Sequence, residues 1–177
     1  FVHVAEMTEC FVEADCFYDL RDDTRPVKST EFNVKLFNRR AAEIVRDHAP
    51  DAPLFLYYAI PLVHAPMEAP HDVLMRHHER LQHITNHERR VFAAQTVLLD
   101  ESVEALVDVL RASDLYDNSL VVVASDNGGN PTADGAASNW PLRGMKGHYF
   151  EGGVRCHGVV HSPLLGEKAT GSEFSGL

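Results

Sequence analysis

The stretch LVVVASDNGG, from Leu120 to Gly129, decides how this chain is read. Five apolar or small residues, Leu120 to Ala124, run into Ser125, Asp126, Asn127 and two glycines. An unbroken apolar run bounded by turn residues predicts a strand buried on both faces, as in a parallel sheet. Open α/β sheets carry their chemistry just beyond the carboxyl ends of such strands, and Asp126 and Asn127 fall there. Both offer hard oxygen ligands, while Gly128 and Gly129 permit a sharp turn and close approach by another segment.

Working upstream, LFLYYAI (Leu54 to Ile60) is a second strand of the doubly buried kind. It leads into PLVHAPMEAPH, where Pro61, Pro66 and Pro70 exclude long regular structure and mark a candidate site loop carrying His64. A long amphipathic helix is expected from about Glu88 to Ala112. Its apolar stripe is Val91, Gln95, Leu98, Leu99, Ser102, Val103, Leu106, Val109 and Leu110. Asp117, Asn118 and Ser119 turn the chain back into Leu120. Strand, site loop, helix, strand reads as a right-handed crossover between parallel strands, which brings His64 and Asp126 to one sheet edge.

The flanks are less regular. Residues 1–30 read as irregular or weakly stranded. A helix is expected from Ser29 to about His48 with Phe32, Leu36, Phe37, Ala41, Ile44 and Val45 on its apolar face. Beyond Gly129 a long loop, Asn130 to Phe150, holds Trp140, Arg143 and Lys146, and a last strand is expected from about Val154 to His161.

Composition excludes several classes. The 177 residues suffice for one domain with a sizeable core, and a formal net charge of -10 speaks against nucleic acid, whose phosphates need clustered cations. No membrane span is expected, because the longest apolar run, Leu54 to Val63, is short and broken by Pro61. The opening residues carry no signal-peptide pattern, which a piece of a longer precursor would equally show. Cys10, Cys16 and Cys156 lack zinc spacing, and a bridge between Cys10 and Cys16 stands level with two free thiols.

Asp126 and Asn127 supply only part of a calcium shell, which takes 6–8 oxygens. Asp22 and Asp23 follow no buried strand and read as a solvated turn. His64 is a candidate acid, base or anion contact, and Arg143 and Lys146 are candidate anion-clamping cations. Five histidines lie between His71 and His87. They contain no His-Glu-x-x-His and read as a solvated, pH-sensitive surface. No Gly-x-Ser-x-Gly and no activated cysteine supplies a nucleophile.

Taken together, SDNGG (Ser125 to Gly129), SNWPLRGMKG (Ser138 to Gly147), FEGGVR (Phe150 to Arg155) and PLFLYYAIPLVHAP (Pro53 to Pro66) resemble the sulfatases, most closely the arylsulfatase B-like branch. The resemblance runs from about Glu13 to Leu165 and is loose over residues 67–87. It implies an alkaline-phosphatase-like α/β sandwich, with a mostly parallel central sheet and helices on both faces, that hydrolyses sulfate esters with Ca2+. Asp126 and Asn127 match the family's second pair of calcium ligands, His64 its sulfate-binding histidine in a His-x-Pro loop, and Lys146 its sulfate-binding lysine. The implied partner is a sulfated glycan or aryl sulfate, and the implied compartment lysosomal or secreted, which favours the Cys10 to Cys16 bridge.

The chain also departs from the family. No Cys-x-Pro-Ser-Arg motif, source of the family's formylglycine nucleophile, is present, nor is the first calcium pair of adjacent aspartates. Residues 1–177 are accordingly expected to be an interior part of the catalytic domain, without the upstream nucleophile segment and the C-terminal subdomain. Two alternatives remain. One is a phosphodiesterase or phosphonate hydrolase of the same superfamily, the other a sulfatase-like protein that binds calcium or glycan without turnover. The 177-residue chain alone is expected to release no product from an aryl sulfate, and measurable turnover by it would contradict this reading.

Overall fold

The longest periodic stretch of the sequence becomes the longest helix. The structure, a computed structural model, describes residues 20–49, 51–132 and 136–173. Two short strands, β1 (Arg21–Asp22) and β2 (Arg25–Pro26), are followed by helices α1 (Asn33–Arg46), α2 (His71–Arg76), α3 (His78–Leu81) and α4 (His87–Ala112). Strand β3 (Val121–Ala124), a one-turn helix α5 (Glu151–Val154) and strand β4 (Gly158–His161) follow, with short 3-10 turns at Tyr116–Asn118 and Glu167–Ala169. Among the described residues no helix is long and apolar enough to cross a membrane.

Asn86 caps α4 by accepting a hydrogen bond from the Arg89 amide at 2.8 Å, which satisfies one of the free donors of the first turn. Val91, Ala94, Gln95, Leu98, Ser102, Val109 and Leu110 are buried along one side of α4. Six of the nine expected stripe residues are buried and Ala94 joins them, whereas Leu99, Val103 and Leu106 are only half-buried. Two apolar clusters hang from it. Val34, Val73, Leu81, Ala94 and Leu98 form one, with Ile60 and Leu62 against it. Val45, Val109 and Leu110 form the other, with Leu54, Leu56 and Val121 against it. Each buried aliphatic side chain contributes about 1.5–3 kcal/mol, so α4 ties α1, the segment 54–62 and β3 into one body.

Helix α1 begins at Asn33, four residues later than expected. The Ser29 hydroxyl accepts from the Glu31 amide at 3.1 Å, so it closes a local turn instead of capping a helix. The strand expectations also need correction. Leu54, Leu56, Tyr58 and Ile60 turn towards the helices, whereas Phe55 and Tyr57 are 91% and 75% exposed. The segment is extended but carries no ladder, and it is buried on one side because α1 and α4 cover only that side. Strand β3 likewise leaves Val122 exposed at 59%. Its partner is β4 in antiparallel register, Val121 opposite His161 and Ala124 opposite Gly158. No parallel crossover ladder occurs among the described residues. The last strand starts at Gly158, not Val154, because Glu151–Val154 winds into α5.

A polar seam crosses the helix layer. The Tyr58 hydroxyl donates to Asn38 Oδ1, Asn38 Nδ2 donates to Ser102 Oγ at 2.9 Å, and Ser102 Oγ donates to the Leu98 carbonyl at 2.7 Å. Every member finds a partner, so the seam fixes the lateral position of the extended segment without an orphaned group.

Behind β3, three backbones interlock. Gly128 N donates to the Gly153 carbonyl at 2.9 Å and Gly152 N to the Arg143 carbonyl at 2.7 Å. A Cβ on Gly128 would overlap the Gly152 carbonyl, and one on Gly152 would overlap the Gly144 and Arg143 carbonyls. Only glycine allows main chain to meet main chain at these points.

Two tests follow from this packing. Burial pushes the Tyr58 phenol up to about 12 from 10.0. The folded state then holds this proton more tightly than the unfolded state, so the seam's contribution is intact below pH of about 10 and is lost as pH rises through about 12. In urea melts, Tyr58→Phe should flatten the fall of stability over that window; parallel curves for parent and variant would contradict the assignment. Gly152→Ala should cost about 1–3 kcal/mol through overpacking, whereas Gly158→Ala, with nothing near its Cβ position, should stay within about 0.5 kcal/mol.

Candidate functional site

The loop that follows the extended segment carries His64 at the surface. Its Nδ1 lies 2.7 Å from the Ala65 carbonyl, and a carbonyl only accepts, so Nδ1 bears the hydrogen. In the neutral ring Nε2 is then an acceptor. It meets Lys146 Nζ at 2.9 Å, across 82 residues of sequence. An ammonium only donates, so the pair is satisfied in one sense alone, Lys146 donating to His64. Both side chains are exposed, which leaves the remaining ammonium hydrogens free to face a ligand.

Lys146 is set in place through its backbone. Its amide donates to the Gly129 carbonyl at 3.1 Å. Asn139 behaves as an added peptide unit at the same glycine: Oδ1 accepts from Gly129 N at 2.8 Å and Nδ2 donates to the Gly129 carbonyl at 2.8 Å. Its Nδ2 also approaches the Gly144 carbonyl at 3.2 Å. The turn after β3 and the loop bearing Lys146 are thus one hydrogen-bonded unit. Arg89, on α4, donates to the Ala136 and Ala137 carbonyls at 2.6 and 3.3 Å, which anchors the start of that loop.

Asp126 and Asn127 sit on the rim of this unit. Asp126 is exposed and Asn127 half-buried, and Ser125 Oγ donates to the Asn127 carbonyl at 2.9 Å, holding the turn closed. Two residues beyond Asn127, Gly129 carries the bond to Lys146, so the turn and the His64 to Lys146 pair belong to one loop cluster. As a donor set, a carboxylate and an amide oxygen suit a hard cation such as calcium and would hold one side of it. Among the described residues no group of three or more His, Cys, Asp or Glu gathers around one point, so the set is partial.

The other candidates lie elsewhere. Arg143 stacks over the Phe150 ring at 3.9 Å and is not the second cation at His64. Asp22, at the end of β1, and Asp23, in the turn to β2, are both exposed, and Asp22 pairs with Arg40 at 3.1 Å. Within the histidine-rich segment, His77 is half-buried and meets Glu101 Oε1 at 2.9 Å. Arg76 binds the same carboxylate at 2.6 Å and, with His77, holds it below its usual range. His71, His78, His83 and His87 are exposed, as expected. Cys156 is a half-buried free thiol, and Cys10 and Cys16 lie outside the described residues. Sequence reading missed Asn139, whose role is carried by bonds to backbone and leaves no residue pattern of its own. Helical spacing puts Gln95 on the buried face, where the structure has it, but carries no sign of the loop carbonyls its amide meets.

Comparison with known proteins bears directly on this arrangement. The Sulfatase family model matches residues 15–175. The chain is 41% identical over 165 residues to arylsulfatase J of Mus musculus, covering 92% of this chain and 27% of that protein. It is 26% identical over 132 residues to N-acetylgalactosamine-6-sulfatase of Homo sapiens, covering 73% of this chain and 23% of that protein. Among solved structures, Ps i-CgsB in complex with k-i-k-neocarrahexaose superposes with a TM-score of 0.75 at 29% identity, over 85% of this chain and 33% of that one. The chain thus spans about a quarter of the length of these curated relatives. Its fold is that of a sulfatase domain, alkaline-phosphatase-like α/β. The chain belongs to the sulfatase family.

Proposed function

We propose that the protein containing this chain hydrolyses sulfate esters, with His64 and Lys146 as the contacts to the sulfuryl group. The observation that carries this reading is the 2.9 Å approach of Lys146 Nζ to His64 Nε2. Two groups that meet so closely at an exposed loop edge converge on one small ligand, and their chemistry selects a tetrahedral oxyanion. Lys146 places positive charge where negative charge grows on the non-bridging oxygens. Lysine's ammonium also offers hydrogens beyond the one given to His64. His64, held by the Ala65 carbonyl, donates to a sulfuryl oxygen or to the leaving oxygen when Nε2 carries a proton and Lys146 Nζ has turned from it to the ligand.

Asp126 and Asn127 are proposed as two ligands of a Ca2+ ion whose other ligands lie outside the described residues. When bound, the cation neutralises charge on the sulfuryl oxygens. No Cys-x-Pro-Ser-Arg occurs in residues 1–177, and the nucleophile, a formylglycine, is assigned to another part of the protein. Family membership supports a sulfated sugar as substrate, because relatives include N-acetylgalactosamine-6-sulfatase and a structure in complex with k-i-k-neocarrahexaose. A lysosomal or secreted location goes with that substrate.

In the full-length protein, Lys146→Ala should lower kcat/KM for an aryl sulfate by about 10²–10³-fold, the effect of removing one preorganised donor. His64→Ala should also reduce turnover. Chelation should abolish turnover, and added Ca2+ should restore it. Unchanged kinetics in Lys146→Ala would remove that residue from the mechanism. Faster hydrolysis of an aryl phosphate diester than of the sulfate would favour the phosphodiesterase reading, and binding of a sulfated sugar without turnover would favour a non-catalytic role.

A further inference from the structure

Gln95 lies in the middle of the buried stripe of α4 and is only 2% exposed. Its neighbours on that stripe, Ala94 and Leu98, are core residues, so packing alone would be served by an apolar side chain. Instead an amide is buried there at a cost, and its Oε1 has no partner among the described residues. The other end of the amide explains its presence. Nε2 donates to the Glu68 carbonyl at 2.9 Å and faces the carbonyls of His64 at 3.3 Å and Pro66 at 3.4 Å. All three are acceptors, so the nitrogen is the atom that points to them.

We propose that Gln95 is a positioning residue for His64. Its amide gathers three carbonyls of the loop 64–68 onto the rigid face of α4, which sets the direction in which the imidazole leaves the loop and meets Lys146. The loop is punctuated by Pro61, Pro66 and Pro70, which supply no donors, and its own bracing is the local bond from the Glu68 amide to the Pro66 carbonyl at 2.9 Å. A donor from α4 ties that local turn to the helix, which the loop's own bond does not do. The bond to Glu68 is of ordinary length and carries most of the restraint; the two longer approaches orient the amide. This proposal rests on the sulfate-ester reading only for its kinetic consequence, because the geometry of His64 is measurable without turnover.

The test uses Gln95→Met in the full-length protein. Methionine matches the length of glutamine and keeps the apolar contacts, but it removes the donor. Two readouts are taken: turnover of an aryl sulfate per folded molecule, and the imidazole nitrogen signals of His64 by NMR. Expected are a loss of about 10- to 100-fold in kcat/KM, the usual effect of misplacing a contact by a fraction of an ångström to an ångström, and a His64 Nε2 signal moved towards that of Lys146→Ala. Gln95→Asn, which keeps the donor one methylene short, should fall between parent and Gln95→Met in both readouts, and it serves as the test if the methionine variant does not fold. Parental kinetics and a parental His64 signal in the folded variants would overturn the proposal. A moved His64 signal in a protein whose parent form hydrolyses no sulfate ester would uphold the positioning and overturn the sulfate-ester reading instead.

Discussion

Both halves of the candidate site are hung from one helix. Gln95 of α4 reaches the carbonyls of the His64 loop, and Arg89, six residues earlier, reaches the carbonyls of Ala136 and Ala137 at the start of the Lys146 loop. Neither loop has regular structure of its own over these stretches. The distance between His64 and Lys146 therefore depends on how firmly α4 is seated. That seating comes from two apolar clusters and from the polar seam through Ser102, Asn38 and Tyr58. Hydrophobic burial supplies most of the free energy but little direction, whereas the satisfied polar contacts choose which loop conformation is held.

The second constraint is steric. The turn after β3, the loop at Arg143 and Gly144, and the α5 turn meet main chain to main chain at Gly128 and Gly152. This contact converts a long loop without secondary structure into a framework. Asn139 completes it by supplying the acceptor for the Gly129 amide and a second donor, beside the Lys146 amide, to the Gly129 carbonyl. Because Lys146 hangs from the same glycine, its main chain is held by backbone bonds while its exposed ammonium reaches His64. Placing a charged group on a rigid main-chain support is how binding energy is directed to an anion without a reorganisation cost at the moment of binding.

The elements that sequence reading located well are those governed by short-range periodicity. The stripe of α4 is legible because 3.6-residue spacing and a cap at Asn86 are local properties. The extended character of Leu54–Ile60 and Val121–Ala124 is legible for the same reason. Their surroundings were not: an apolar run is compatible with burial on one face or two, and Phe55 and Tyr57 are exposed here because helices cover a single side. Nor does a run of apolar residues state which strand it will pair with. The antiparallel match of β3 with β4 is made by a loop that doubles back, which no window of sequence contains.

By itself, then, the sequence determined the family, the long helix and the glycine-bearing turn, and it singled out Asp126, Asn127, His64 and Lys146 as the side chains proposed for chemistry. These follow from residue types at close spacing, where the physics is that of a single turn or helix. Only the tertiary structure decided that His64 and Lys146 touch, that Arg143 is engaged by Phe150 instead, and that a glutamine in an apolar stripe faces the loop it supports. Those outcomes rest on packing between segments tens of residues apart, where a shift of one ångström separates a contact from none and where no local pattern carries the information.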